Sequence, residues 1–211
     1  MGQRVMIHDF NNSLEKSHQY ADAPWWGEVY RQAFPGLQAS VSVRADTWAQ
    51  RAGIDRVLTL ISGRTITIDE KVRERDWPDI LLERWSSEET RIPGWIQKDL
   101  HCEFIAYAFV PSATCYLLPT LTLQRAWRLY GREWIARYQE IRARNNDYTS
   151  VSVAVPTDVL FGAIGDAMCV HWEPEGTGYD PDDDFARSIE ESYREIRERK
   201  ASGGPGWEPP K

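Results

Sequence analysis

The sequence predicts a mixed α/β domain, a central mixed β-sheet flanked by helices, followed by a charged C-terminal segment. Three observations carry this. Runs rich in β-branched residues, each of strand length, cluster between residues 38 and 110. Helical periodicity lies on either side of them. After Gly176 the composition turns acidic and poor in apolar residues. A chain of 211 residues, 42% of them hydrophobic, suits one core-forming domain with a short appendage. The division expected is 1–170 for the domain and 171–211 for an acidic helix and a disordered tail.

Taken in order, residues 12–34 read as a helix interrupted near Pro24, with Asn12 or Ser13 as cap and Pro35-Gly36 as stop. QASVSVR (38–44) alternates small or apolar with polar residues, as an edge strand does. DRVLTLISGRTITIDEKVRER contains two β-branched-rich runs around Ser62-Gly63-Arg64, the strongest hairpin signal in the chain. Trp77-Pro78 stops the second run, DILLERW (79–85) is a further strand, and SSEETRIPG (86–94) is a polar loop. WIQKDLHC (95–102) reads as a short helix that leads into the strand EFIAYAFV (103–110). Pro111-Ser112-Ala113 then turns the chain into TCYLLPT. From Thr122 to Arg144, the positions of Leu123, Trp127, Tyr130, Trp134, Ile135 and Tyr138 mark a long amphipathic helix. SVSVAV (150–155) is a late strand, a short helix starts at about Thr157, and 184–200 is a charged helix. Of the ten tryptophans, Trp25, Trp26, Trp127 and Trp134 fall on helices, where packing accounts for them.

Net charge is −7, but it is unevenly spread. Residues 1–170 hold 19 basic and 21 acidic groups, whereas 171–211 hold 6 and 11. The body is close to neutral, so charge does not decide for or against a polyanionic partner, because acids set beside phosphate can be offset by divalent cations. Cys102, Cys115 and Cys169 are odd in number and lack CxxC spacing, which fits reduced thiols. The N-terminus has no apolar signal core and no run approaches transmembrane length. The expectation is a soluble, cytoplasmic protein without a membrane partner. No Gly-rich phosphate loop and no G-x-S-x-G turn occurs, which leaves P-loop and serine-hydrolase chemistry without a motif.

The chemistry-bearing pattern is a separation and a spacing. Asp55 opens one strand of the hairpin and Asp69-Glu70-Lys71 closes the next. Residues two apart on a strand share a face, so Asp69 and Lys71 project together with Thr65, Thr67 and Arg73, while Ile66, Ile68 and Val72 point into a core. An odd loop such as Ser62–Arg64 sets Asp55 opposite Lys71 on that same face. A two-residue loop at Ser62-Gly63 sets it opposite Glu70, and a bulge is then needed to restore the cluster. The sequence leaves the register open. Two carboxylates plus a strand carbonyl such as that of Glu70 form a hard oxygen site suited to Mg²⁺ or Mn²⁺. A lysine beside it orients or deprotonates the attacking water and stabilises developing charge. The competing reading is a solubilising ion pair at a strand end.

This arrangement resembles the PD-(D/E)xK phosphodiesterase superfamily, in which a helix precedes a sheet, an acid starts the second core strand and D/E-x-K ends the third. Gly53-Ile54-Asp55 and Asp69-Glu70-Lys71 are the matching residues. The resemblance spans roughly residues 12–137, and phage and prophage nucleases of this type carry segments similar to DILLERW, PGW and FIAYAF. It implies a restriction-endonuclease-like core, hydrolysis of DNA phosphodiesters by a metal-activated water, and Mg²⁺ or Mn²⁺ as cofactor. It implies metal ligation at Asp55 and Asp69, with Lys71 activating the water; the Glu70 carbonyl is the further metal ligand expected from the strand geometry. Relatives add an acid from the first helix, for which Glu28 is better placed than Glu15.

Further candidates carry two readings each. Glu83 either faces the cleft from the next strand or solvates a strand edge. Lys98 and His101, three apart, either contact phosphate or line a solvated helix face. Arg125, Arg128 and Arg132 share a helical face that either tracks a nucleic-acid backbone or is a plain amphipathic surface. The expected partner is DNA, with RNA also open and a homodimer compatible with the sequence. The alternative function is a non-cleaving nuclease-fold module that binds nucleic acid or protein; a third is an unrelated interaction domain in which the motif is coincidence.

Overall fold

The computed structural model describes residues 6–7, 20, 22–145, 147–165 and 167–173. The expected 184–200 helix, the tail and residues 12–19 and 21 of the expected first helix lie outside these. Four helices occur among the described residues: α1 (Trp25–Ala33), α2 (Thr47–Arg51), α3 (Thr120–Arg137) and α4 (Thr157–Ile164). The strands are β1 (Met6–Ile7), β2 (Leu37–Ser42), β3 (Arg56–Leu60), β4 (Thr65–Arg73), β5 (Asp79–Ser87), β6 (Ile92–Pro93), β7 (Phe104–Phe109), β8 (Thr114–Pro119), β9 (Glu140–Arg144), β10 (Thr149–Pro156) and β11 (Met168–His171). No described helix is long and apolar enough to cross a membrane.

The strands form two sheets, one ordered β11-β8-β7-β4-β3-β2 and one ordered β1-β9-β10-β5-β6. The first is mixed: β4 runs antiparallel to β3 and parallel to β7. One of its faces packs on α1, where Trp26, Val29, Tyr30 and Ala33 meet Leu58, Ile66, Ile68, Ala106 and Ala108. The opposite face, with Ile105, Tyr107 and Phe109, packs on Ile80 and Leu82 of β5, Val153 and Val155 of β10, and the apolar sides of α3 and α4. The alternation along β4 therefore sorts between two cores. Ile66 and Ile68 go to α1, and the odd-numbered residues turn toward the second sheet.

Several sequence expectations change. Within the described residues the first expected helix is interrupted before Pro24, where a break was read, and a helix runs on from Trp25 with Pro24 at its N-cap, a position where the missing N–H leaves no helical bond unmade. The short α2 was not anticipated; Asp46 caps it by accepting the Trp48 and Ala49 N–H groups. Residues 95–102 are no helix. Gln97 and Lys98 donate to the Gly94 carbonyl in a single turn, and His101 N–H then pairs with the Ala52 carbonyl, so the segment runs extended against α2. The helix expected from Thr122 to Arg144 ends at Arg137, because Tyr138 adopts an extended conformation. Beyond it, Glu140–Arg144 pairs with β10. The first and last thirds of that stretch are both amphipathic, one with period 3.6 and the other with period 2, and the two patterns run together.

Candidate active site

The hairpin loop has three residues, Ile61 to Gly63, closed by Leu60 N–H to the Arg64 carbonyl, with Gly63 at φ +81°. An odd loop was one of the two options open in the sequence, but its placement shifts the register by two residues. The ladder pairs Leu58 with Ile66 and Arg56 with Ile68, so Asp55 stands across from Asp69 and not from Lys71. A shift of two preserves the face. At the strand mouth Asp55 N–H also donates to the Ile68 carbonyl, a local bulge. The Asp55 and Asp69 carboxyl groups lie within hydrogen-bonding reach of each other, and Lys71 Nζ is 2.5 Å from Asp69 Oδ1. Asp55, Asp69 and Lys71 thus converge.

Glu70 serves the cluster from the other face of β4. Its side chain is fully buried and takes the Tyr30 hydroxyl at 2.6 Å, Arg56 Nε at 2.6 Å and the Arg44 guanidinium at 2.9 Å. Arg44 also reaches Asp55 Oδ2 at 3.3 Å, and that oxygen accepts the Glu70 backbone N–H at 2.8 Å. Asp55 is therefore fixed by two donors that both depend on Glu70. Even-numbered residues of β4 turn their backbone groups toward β3, whose ladder ends at Arg56 and Ile68. The Glu70 carbonyl consequently emerges past the end of β3, beside Asp55, while its carboxylate is committed to the α1 side.

The electrostatics follow from this burial. Asp69 is 4% exposed; burial first, and then the Asp55 charge, push its carboxyl up to about 7 against the lowering effect of Lys71. For Lys71, burial alone would favour the neutral amine, but Asp69, Asp55 and Glu83 outweigh it and raise its pKa above the ordinary lysine value. The group is an ammonium at neutral pH. A pair of adjacent carboxylates that repel each other, with a main-chain carbonyl at the same edge, fits a hard divalent cation whose remaining positions are filled by water. It is no three-side-chain cage: among the described residues no cluster of three or more His, Cys, Asp or Glu groups has metal-holding geometry.

Glu83 joins the cluster electrostatically from β5. Its carboxylate accepts Ser86 Oγ at 2.7 Å and Trp95 N–H at 3.3 Å. A bulge sets it there: Glu83 pairs with Ser152 and Trp85 with Val151, leaving Arg84 as the extra residue. Next to it opens a groove of about 690 Å³ between β5, the 94–99 segment and α3. Of the expected phosphate-contacting residues, Lys98, Arg128 and Arg132 line this groove, while Arg125 and His101 lie outside its lining. Lys98 is on a turn and His101 on an extended segment, so the shared helical face expected for them does not exist. Glu28 is not among the groups that bear on Asp69 or Lys71. It accepts from Gln32, which in turn bonds the His171 carbonyl of β11, at the far edge of the sheet from β3. Tyr30, two residues further along α1, is the helix residue that reaches β4.

Arg44, Arg56 and Tyr30 were not identified from sequence. Each lies on a different element from the acids it serves, and no local spacing signals a contact that the sheet creates. Neither a protein-family model, nor a curated protein, nor a solved structure matches the chain.

Proposed function

We propose that the protein is a Mg²⁺- or Mn²⁺-dependent nuclease that hydrolyses DNA phosphodiester bonds by attack of water, with no covalent intermediate. The observation that supports this best is the convergence of Asp55, Asp69 and Lys71 at one strand mouth. Asp55, Asp69 and the Glu70 carbonyl would hold the cation. Bound there, the cation supplies Lewis acidity and lowers the pKa of a coordinated water. Lys71, kept protonated by its acidic neighbours, orients that water by hydrogen bonding and stabilises the charge that grows on the phosphoryl oxygens. A role for Lys71 as the proton acceptor fits less well, because its pKa is shifted away from neutrality. Glu70 and Arg44 position Asp55.

Purified protein is expected to nick or degrade plasmid DNA with Mn²⁺ or Mg²⁺ and to be inert in EDTA. Lys71→Ala is expected to lose about 10²–10³-fold in rate while keeping the wild-type circular dichroism. Equal cleavage by wild type and variant removes Lys71 from the mechanism. Mn²⁺ and DNA binding without any cleavage identifies the non-cleaving module instead.

A further inference from the structure

The groove beside the cluster differs from a plain phosphate track in having two kinds of wall. Its rim carries Lys98, Arg128 and Arg132, together with one exposed acid, Asp99, beside Lys98. Arg128 and Arg132 lie four residues apart on α3, about 6 Å along the axis, and Lys98 projects from the turn opposite them. Arg84, in the same lining, is committed to Glu140 at 3.0 Å. Between the cationic walls the apolar lining is Trp85 and Ile135, both half-buried, with Ile96 and Trp127 showing only 1% and 8% of their surface. Gly131, at the centre of the α3 wall, sits with its Cα facing the Trp127 ring, where a Cβ would meet ring atoms at 3.1 Å. That missing side chain keeps the Trp127 edge of the groove open.

Duplex nucleic acid offers such a surface only its phosphates, because its bases are stacked inside the helix. An unpaired strand offers phosphates and flat apolar base faces together, and sites for it combine a positive channel with aromatic platforms. We infer that this groove binds an unpaired stretch of nucleic-acid strand, with phosphates on Lys98, Arg128 and Arg132 and base faces against Trp85, Ile135 and the exposed edge of Trp127. The groove is linked to the cluster through Glu83, since Arg84 of its lining follows Glu83 and the 94–98 turn hangs on both: Trp95 N–H donates to the Glu83 carboxylate and Gln97 Nε2 to the Arg84 carbonyl at 2.5 Å. Resting on the nuclease reading for its role, the groove makes the substrate a strand that is single-stranded next to the scissile bond, such as a free end or a flap.

Binding is measured by fluorescence anisotropy of the full chain in EDTA, with labelled oligo-dT and with a blunt duplex of the same length. Oligo-dT is expected to bind at least about tenfold more tightly than the duplex. Arg128→Glu/Arg132→Glu is expected to weaken oligo-dT binding at least about tenfold and to flatten its salt dependence. Both arginines are exposed, so this variant is expected to melt with the wild type; Lys98→Glu, on a separate segment, repeats the test independently. Equal affinity for the two probes, unchanged binding in both variants, or an acidic peptide displacing oligo-dT mole for mole overturns the inference. The two readings fail separately. Oligo-dT binding by a protein that never cleaves sinks the nuclease and spares the groove, and metal-dependent cleavage without single-strand preference does the reverse.

Discussion

At the scale of single residues, Glu70 is the group on which most others depend. A carboxylate buried without compensation costs several kcal/mol, and here it is compensated by two guanidinium groups and a phenol. Removing its charge leaves Arg56 and Arg44 in a site built around an anion and releases one of the two donors that hold Asp55. Glu70→Gln is therefore expected to lower stability by about 3–5 kcal/mol, and Tyr30→Phe, which removes one hydrogen bond to a charged acceptor, by about 1–3 kcal/mol. Urea denaturation of both variants checks this. A Glu70→Gln protein within about 1 kcal/mol of wild type would mean that the arginines find other partners, and that Asp55 is held without Glu70. Burial also sets the Tyr30 hydroxyl: desolvation and then Glu70 raise its pKa well above the ordinary phenol value, so it remains a donor throughout the accessible pH range.

At the scale of elements, the turn after β6 ties the site to the groove, and it depends on the absence of a side chain. A Cβ on Gly94 would stand 2.1 Å from the Glu83 carbonyl oxygen and 2.7 Å from its Cγ. Gly94→Ala must push the turn away from β5, breaking the bonds from Gly94 and Ile96 to that strand. The expected cost is about 1–3 kcal/mol or more, together with a loss of Lys71-dependent cleavage as Glu83 is displaced. Gly162→Ala, at an exposed position of α4 where a Cβ meets nothing, is the control and is expected to be neutral or slightly stabilising. Thermal melts of the pair decide, and wild-type stability in Gly94→Ala contradicts the close approach. These elements also show what was legible in the sequence. The hairpin and the shared face of Asp69 and Lys71 follow from period-two alternation, which needs no partner to be read. The register did not follow, because it turns on whether Ile61 or Ser62 begins the loop, and both suit it. Residues 95–102 (WIQKDLHC) have helical spacing, whereas the bonds that fold them as a turn and an extended segment against β5 and α2 come from distant parts of the chain.

At the scale of the molecule, Asp55, Asp69 and Lys71 sit where the inner face of one sheet meets the second sheet, and this burial couples the site to the stability of the fold. Asp69 has a folded-state pKa of about 7, against about 3.9 in an unfolded chain. Between those values the native protein keeps a proton that the unfolded chain releases, so stability is full below about pH 4 and declines as pH rises through about 7, by at most about 4 kcal/mol. Other carboxylates add slopes of their own, and the comparison with Asp69→Asn isolates this one. In EDTA, the stability of wild type relative to Asp69→Asn is expected to fall between pH 5 and pH 8. Mn²⁺ reverses the sign of that trend, because the cation competes with the proton for the same oxygen atoms and stabilises the native state most where Asp69 is ionised. Manganese is thus expected to raise the wild-type melting temperature strongly at pH 8, weakly at pH 5, and at neither pH in Asp69→Asn. A difference between wild type and Asp69→Asn that stays flat from pH 4 to pH 8 in EDTA would show that Asp69 is ionised alongside Asp55 without help. The two carboxylates would then lack the unmet negative charge that makes this strand mouth a cation site.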